Sequence, residues 1–91
     1  MNDVYRALSD PTRTRILAIL RGGDVTAGEL AAQFELSWPT VSGHLKVLRE
    51  ADLVQADRHG TSFTYHLNLS VLEAAMASLM SALGIHSEET R

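Results

Sequence analysis

Two helix-start signals set close together constrain this chain more than any other feature. Thr26 followed by Glu29 has the pattern of a capping box, in which each side chain satisfies a backbone N–H of the first helical turn. Ser37 then opens a second helix, with Pro39 in its first turn, where a missing N–H costs little. Only Phe34-Glu35-Leu36 separates the two expected helices. A linker that short does not let two helices lie side by side. They must cross steeply, as in a helix-turn-helix.

The flanking segments supply a core for that unit. Asn2 to Leu8 reads as a short helix with Val4, Tyr5 and Leu8 on one side. Ser9-Asp10-Pro11 is a polar cap followed by a proline whose φ is already near helical. The helix it starts runs from Pro11 to Arg21, with Ile16, Leu17 and Leu20 as one inward stripe, and Gly22-Gly23 ends it. The third helix, Thr26 to Phe34, turns Leu30, Ala31 and Phe34 inward. The fourth, Ser37 to about Ala51, turns Val41, Leu45 and Leu48 inward, with Val47 at the edge. Its opposite surface carries Trp38, Thr40, Ser42, Gly43, Lys46 and Arg49.

After Asp52 the apolar period changes from helical to two. Leu53 to Asp57 and Ser62 to Leu67 alternate, and Arg58-His59-Gly60-Thr61 lies between them as a loop, which predicts a β-hairpin. Ser70 with Glu73 predicts a further capping box and a last helix running to about Gly84. That helix carries Val71, Leu72, Ala75, Met76, Leu79, Met80 and Leu83, more apolar surface than one small domain can cover. The expected fold is mainly α with a β-hairpin, in the order helix-helix-helix-helix-hairpin-helix.

With 91 residues, one domain is expected, over 1–84, with a polar C-terminal tail over 85–91. A core this small often gains stability by oligomerising. Cysteine is absent, which removes disulfides, thiolate metal sites and thiol redox chemistry. No run of 18 apolar residues and no signal-peptide pattern at MNDVYRALSD is present, so membrane insertion is not expected and the cytoplasm is the default location. The net charge is −3, and residues 1–60 hold seven Lys/Arg against eight Asp/Glu. Nucleic-acid binding through bulk positive charge is therefore excluded, and any such binding depends on where a few cations sit.

Several motifs resemble a known family. Leu8-Ser9-Asp10-Pro11-Thr12-Arg13 with Arg15-Ile16-Leu17 is similar to the signature of ArsR-type repressors. Thr26-Ala27-Gly28-Glu29-Leu30, then Thr40-Val41-Ser42 with His44-Leu45-Lys46-Val47-Leu48-Arg49-Glu50-Ala51, and finally Tyr65-His66-Leu67 continue the resemblance in order, over about residues 3–70. The short, cysteine-free chain is closest to the SdpR-like autorepressor subgroup. The resemblance implies a winged helix-turn-helix acting as a homodimeric transcriptional repressor on a palindromic double-stranded DNA operator. It also implies a dimer made by the first and last helices, here through Val4, Tyr5, Leu8, Leu72, Met76, Leu79, Met80 and Leu83.

On that basis the fourth helix enters the major groove. Ser37 and the helix N-terminus offer N–H groups to a phosphate. Thr40 and Ser42 approach base edges or phosphates, and Lys46 and Arg49 reach backbone phosphates. Trp38 stands where the family commonly has a polar residue, and either packs on a sugar or thymine methyl or covers its own helical turn. Gly43 stands where the family commonly has Arg or His. It costs about 1 kcal/mol of helix propensity relative to Ala, and close approach to the DNA backbone is one reason to keep it. Arg58 and His59 in the hairpin loop are candidates for the adjacent minor groove or a phosphate. Arg13 and Arg15 have two uses open to them, a phosphate or an intramolecular pair with Asp10 or another acid.

Metal sensing and catalysis find little support. In the family's terminal-helix metal site, the ligand positions fall on Leu69, Val71, Ala82 and Ile85, all apolar. A shifted register gives Glu73, Ala75, His86 and Glu89, which lacks one ligand. No cofactor is expected, and no enzyme motif is present. The inducer is left open between a protein partner, a small molecule and concentration alone. The net charge, Trp38 and Gly43 also admit a second reading, a winged-helix protein-interaction module with weak or no DNA reading.

Overall fold

The computed structural model describes residues 2–85. Its elements are α1 (Asn2–Leu8), α2 (Pro11–Arg21), β1 (Val25–Thr26), α3 (Ala27–Ala31), α4 (Trp38–Glu50), β2 (Val54–His59), β3 (Ser62–Leu67) and α5 (Leu69–Ala82). The sequence expectation of four helices, a hairpin and a last helix holds, with one addition. Val25-Thr26 pairs antiparallel with the hairpin, Val25 opposite Tyr65 and Thr26 opposite Thr64, giving a three-stranded sheet in the order β1-β3-β2. Two residues are too few to show an alternating pattern, so this strand has no signature in the sequence.

The helix-turn-helix forms with a longer connection than expected. Thr26 caps α3 and accepts from the Glu29 N–H, while the Glu29 carboxylate accepts from the Thr26 N–H, so the capping box is complete. α3 ends at Ala31, and Ala32 to Ser37 carry the chain into α4. Phe34 thus lies in the turn, where it packs partly buried against the core under the Arg15 guanidinium, 4.7 Å from its ring centre. Arg15 also donates to the Gln33 carbonyl, so it closes the turn. At the far end of α4 the chain leaves through Asp52, whose φ of 61° is left-handed. The Asp52 N–H donates to Arg49 O and the Leu53 N–H to Leu48 O, the double bond of a Schellman cap, with Leu48 and Leu53 both fully buried beneath it.

The core consists of Ile16, Leu17, Leu20, Leu30, Val41, Leu45 and Leu48, with Leu53, Val54 and Tyr65 from the hairpin. Every inward position expected on α2 and α4 is buried. Val4 and Ala7 bring α1 into the same core. α5 differs, since Ala75 alone of its residues is buried. The Ser70–Glu73 box does not form. α5 begins two residues earlier, at Leu69, after Asn68, whose backbone N–H is held by Leu53 O, and Ser70 Oγ donates to Asn68 Oδ1 instead. Among the described residues no helix is long and apolar enough to cross a membrane.

One side-chain hub joins three helices. Asp10 caps α2 by accepting from the Thr12 and Arg13 N–H groups. Arg13 then donates to Ala7 O and Arg6 O in the last turn of α1, and its third nitrogen lies 3.1 Å from His44 Nδ1 on α4. Partial burial works to raise the Asp10 pKa. It is outweighed by the Arg13 and Thr12 N–H groups and by the nearby charges of His44 and Arg13, so the carboxyl is held below its ordinary value near 3.8.

Two outcomes follow from these caps. Thr26→Ala is expected to cost about 1 kcal/mol of stability, read from urea unfolding, whereas Thr26→Ser retains most of it. Because the Asp10 pKa is lowered on folding, its charge stabilises the fold above the ordinary carboxylate range, and that contribution disappears as pH falls through the folded-state value. The thermal midpoint of the unsubstituted protein should therefore fall more steeply below about pH 4 than that of Asp10→Asn, which keeps a cap acceptor without the titrating charge.

Candidate nucleic-acid interface

Because α4 is buried along Val41, Leu45 and Leu48, its other positions are pushed outward. Trp38, Thr40, Gly43, Lys46 and Arg49 are exposed and Ser42 is half-buried. An open groove of about 680 Å³ is lined by Trp38, Ser42 and Arg49 of α4, by Thr61, Ser62 and Phe63 of the hairpin, and by Gly28 of α3. Trp38 and Phe63, both exposed, are the two large aromatic side chains that line this groove together with Tyr65.

The cations divide into engaged and free. Arg13 and Arg15 are both used inside the chain, by carbonyls, an imidazole and a ring rather than by an acid. The internal pair with an acid expected as one alternative does not form as an ion pair among the described residues; carbonyls, His44 and Phe34 take its place. Arg58 folds back on its own turn, donating from Nε to Gly60 O and standing 6.0 Å from the Phe63 ring. Among the described residues, Lys46 and Arg49 are exposed on α4 with no hydrogen bond or ion pair.

Two expectations need correction. Arg58 and His59 are not in a loop. They are the last residues of β2, with Arg58 opposite Phe63 and His59 opposite Ser62, so the turn is Gly60-Thr61 alone. Gly60 has φ +66° at the first turn position, as a tight hairpin requires, and this lets pairing continue two residues further than the alternation suggests. The start of α4 is also a poorer anion site than expected. Pro39 has no N–H, and the Thr40 N–H points to Ser37 Oγ at 3.4 Å, so the N–H groups of Ser37 and Trp38 are what remain at the helix start. Ser37 Oγ and Thr40 Oγ1 are bonded to each other at 3.0 Å.

The residues expected at a dimer face fall into three groups. Val4 is buried in the chain's own core and has no surface left to offer. Tyr5, Leu8, Leu72 and Leu79 are half-buried. Met76, Met80 and Leu83 are exposed, together with Leu69 and Ile85, which sequence reasoning did not single out. An apolar hollow of about 260 Å³ between Leu8, Leu17, Ala18 and Leu72 adjoins this face. Among the described residues no three His, Cys, Asp or Glu side chains are grouped as metal ligands. His86 and Glu89 of the shifted register lie outside the described residues.

Comparison with known proteins agrees with this geometry. Residues 10–56 match the model of the family described as bacterial regulatory protein, arsR family. The chain is 47% identical over 73 residues to the transcriptional repressor SdpR of Bacillus subtilis (strain 168), covering 80% of this chain and 81% of that protein. It is 36% identical over 73 residues to an arsenical resistance operon repressor of Staphylococcus xylosus, covering 80% and 70%. A crystal structure of an ArsR family transcriptional regulator superposes with a TM-score of 0.83 and 28% identity over 91% of both chains. Such proteins act by binding DNA and not by catalysis. The chain therefore belongs to the arsR family of bacterial regulatory proteins and is a DNA-binding transcriptional regulator of the winged helix-turn-helix type.

Proposed function

We propose that the protein is a homodimeric repressor of a palindromic operator, that it acts on its own operon, and that no metal site controls it. The observation that carries the DNA reading is the outward surface of α4. It combines two unengaged cations, Lys46 and Arg49, with the small polar side chains of Thr40 and Ser42. In this reading Lys46 and Arg49 neutralise phosphates, while Thr40, Ser42 and Trp38 meet base edges or a thymine methyl. Ser37 contributes as the cap that orients Thr40. The hairpin lies along the flanking minor groove with His59 at the end of β2 beside the turn, and Arg58, held to Gly60 O through Nε, has its two η nitrogens to offer a phosphate.

α5 supports the dimer. Its Met76, Met80 and Leu83 form an apolar face that one protomer leaves in water, and Tyr5, Leu8, Leu72 and Leu79 border it. A second copy of the same face covers it by two-fold symmetry, and the two α4 helices then meet half-sites in successive turns of the duplex. The similarity to SdpR, a transcriptional repressor, supports repression as the direction of control. The absence of cysteine removes thiolate metal and thiol redox sensing, which leaves a protein partner, a small molecule or the concentration of the repressor itself as the signal in this reading.

The reading is tested with DNA from upstream of the protein's own gene in a mobility-shift or fluorescence titration. A folded protein that forms no specific complex at moderate salt overturns it. Lys46→Ala should weaken cognate and random duplexes by a similar factor and reduce the slope of log affinity against log salt by about 1, while Ser42→Ala changes sequence preference instead. Met76→Glu should yield a folded monomer by sedimentation, because Met76 is already 45% exposed in the protomer, and operator binding should be lost with the dimer.

A further inference from the structure

α4 contains one residue that the fold itself does not require. Gly43 lies in the interior of a helix that runs from Trp38 to Glu50, where glycine is disfavoured against alanine because it gives up more backbone freedom. Two intramolecular reasons could retain it. A left-handed φ is one, but Gly43 is absent from the residues of positive φ. Crowding is the other, but among the described residues a Cβ built on Gly43 would meet nothing within 4 Å.

Its position on the helix is distinctive. At about 100° per residue, Gly43 stands about 200° from both Val41 and Leu45, so it lies on the side of α4 turned away from the core, as the exposed Glu50 two turns further on also does. Thr40 and Lys46, each three residues away, are its neighbours on the helix surface, and both are exposed. A ligand that touches Thr40 and Lys46 together must pass over Gly43.

We propose that Gly43 is the point at which the backbone of α4 meets DNA, and that its missing side chain sets how deeply the helix sits in the groove. The inference rests on α4 being the groove-entering helix, and it makes Gly43 a specificity-determining residue. Thr40 and Ser42 are short, and a helix held away from the base edges would leave them out of reach. A side chain at residue 43 acts as a spacer and lifts both together.

The test compares the unsubstituted protein with Gly43→Ala and Gly43→Arg on the duplex from upstream of its own gene and on a random duplex, alongside thermal unfolding. Gly43→Ala should unfold at a higher temperature yet bind the upstream duplex about tenfold more weakly. Gly43→Arg should bind it more weakly still, although it adds a positive charge. Both variants should lose more affinity on the upstream duplex than on the random one. Unchanged binding by Gly43→Ala, or tighter binding by Gly43→Arg, overturns the proposal and leaves the groove reading of α4 intact. Failure of the unsubstituted protein to bind either duplex overturns both.

Discussion

The structure depends on α4 being gripped along one side only. Val41, Leu45 and Leu48 are fully buried in the core, and among the described residues nothing covers Thr40, Gly43 and Lys46 on the opposite side. Burying three such side chains supplies several kcal/mol, by roughly 1.5–3 kcal/mol each, and this fixes the rotation of the helix about its axis. Once that rotation is fixed, the identity of every outward residue is fixed as well. Lys46, Arg49 and Thr40 are presented because they cannot be anywhere else.

The two ends of α4 are secured by different means. At its start, Ser37 caps it and the turn from Ala32 is closed by Arg15, which bonds Gln33 O and covers Phe34. At its end, the Schellman cap through Asp52 turns the chain into β2 with Leu53 buried beneath. Midway, His44 meets Arg13, which also holds the last turn of α1. The hairpin is joined to the same unit by Thr26, at once the cap of α3 and the strand partner of Thr64. The helix-turn-helix and the wing therefore share a residue, and neither can tilt without disturbing the other.

Much of this was legible from residue order. The apolar stripes of α2 and α4 were readable because helical periodicity is a property of neighbours along the chain. The capping box at Thr26 and the cap at Asp10 involve groups three residues apart or fewer, so local pattern suffices. The hairpin was placed correctly but its turn was not, since the pairing of His59 with Ser62 depends on the φ of Gly60 and not on alternation. The Ser70–Glu73 pattern was present and unused, because the N–H of Asn68 is taken by Leu53 O and α5 starts from there. On the outward side of α4, the exposure of Trp38, Thr40, Gly43, Lys46 and Arg49 was readable from periodicity, whereas the exposed Glu50 was not singled out and the internal contacts of the arginines were not foreseen.

Sequence alone determined the fold class, the faces of the helices and the family, because each rests on spacing, capping chemistry or motif order. Tertiary structure decided which cations are free. Arg13, Arg15 and Arg58 are alike in sequence to Arg49, and each is taken up by carbonyls or rings that the fold brings within reach from distant or neighbouring residues. It also decided that Val4 belongs to the core while Met76, Met80 and Leu83 face water. The physical reason is common to both: a side chain's charge and apolarity are written in its own residue, but whether they are already satisfied depends on what the folded chain places beside it.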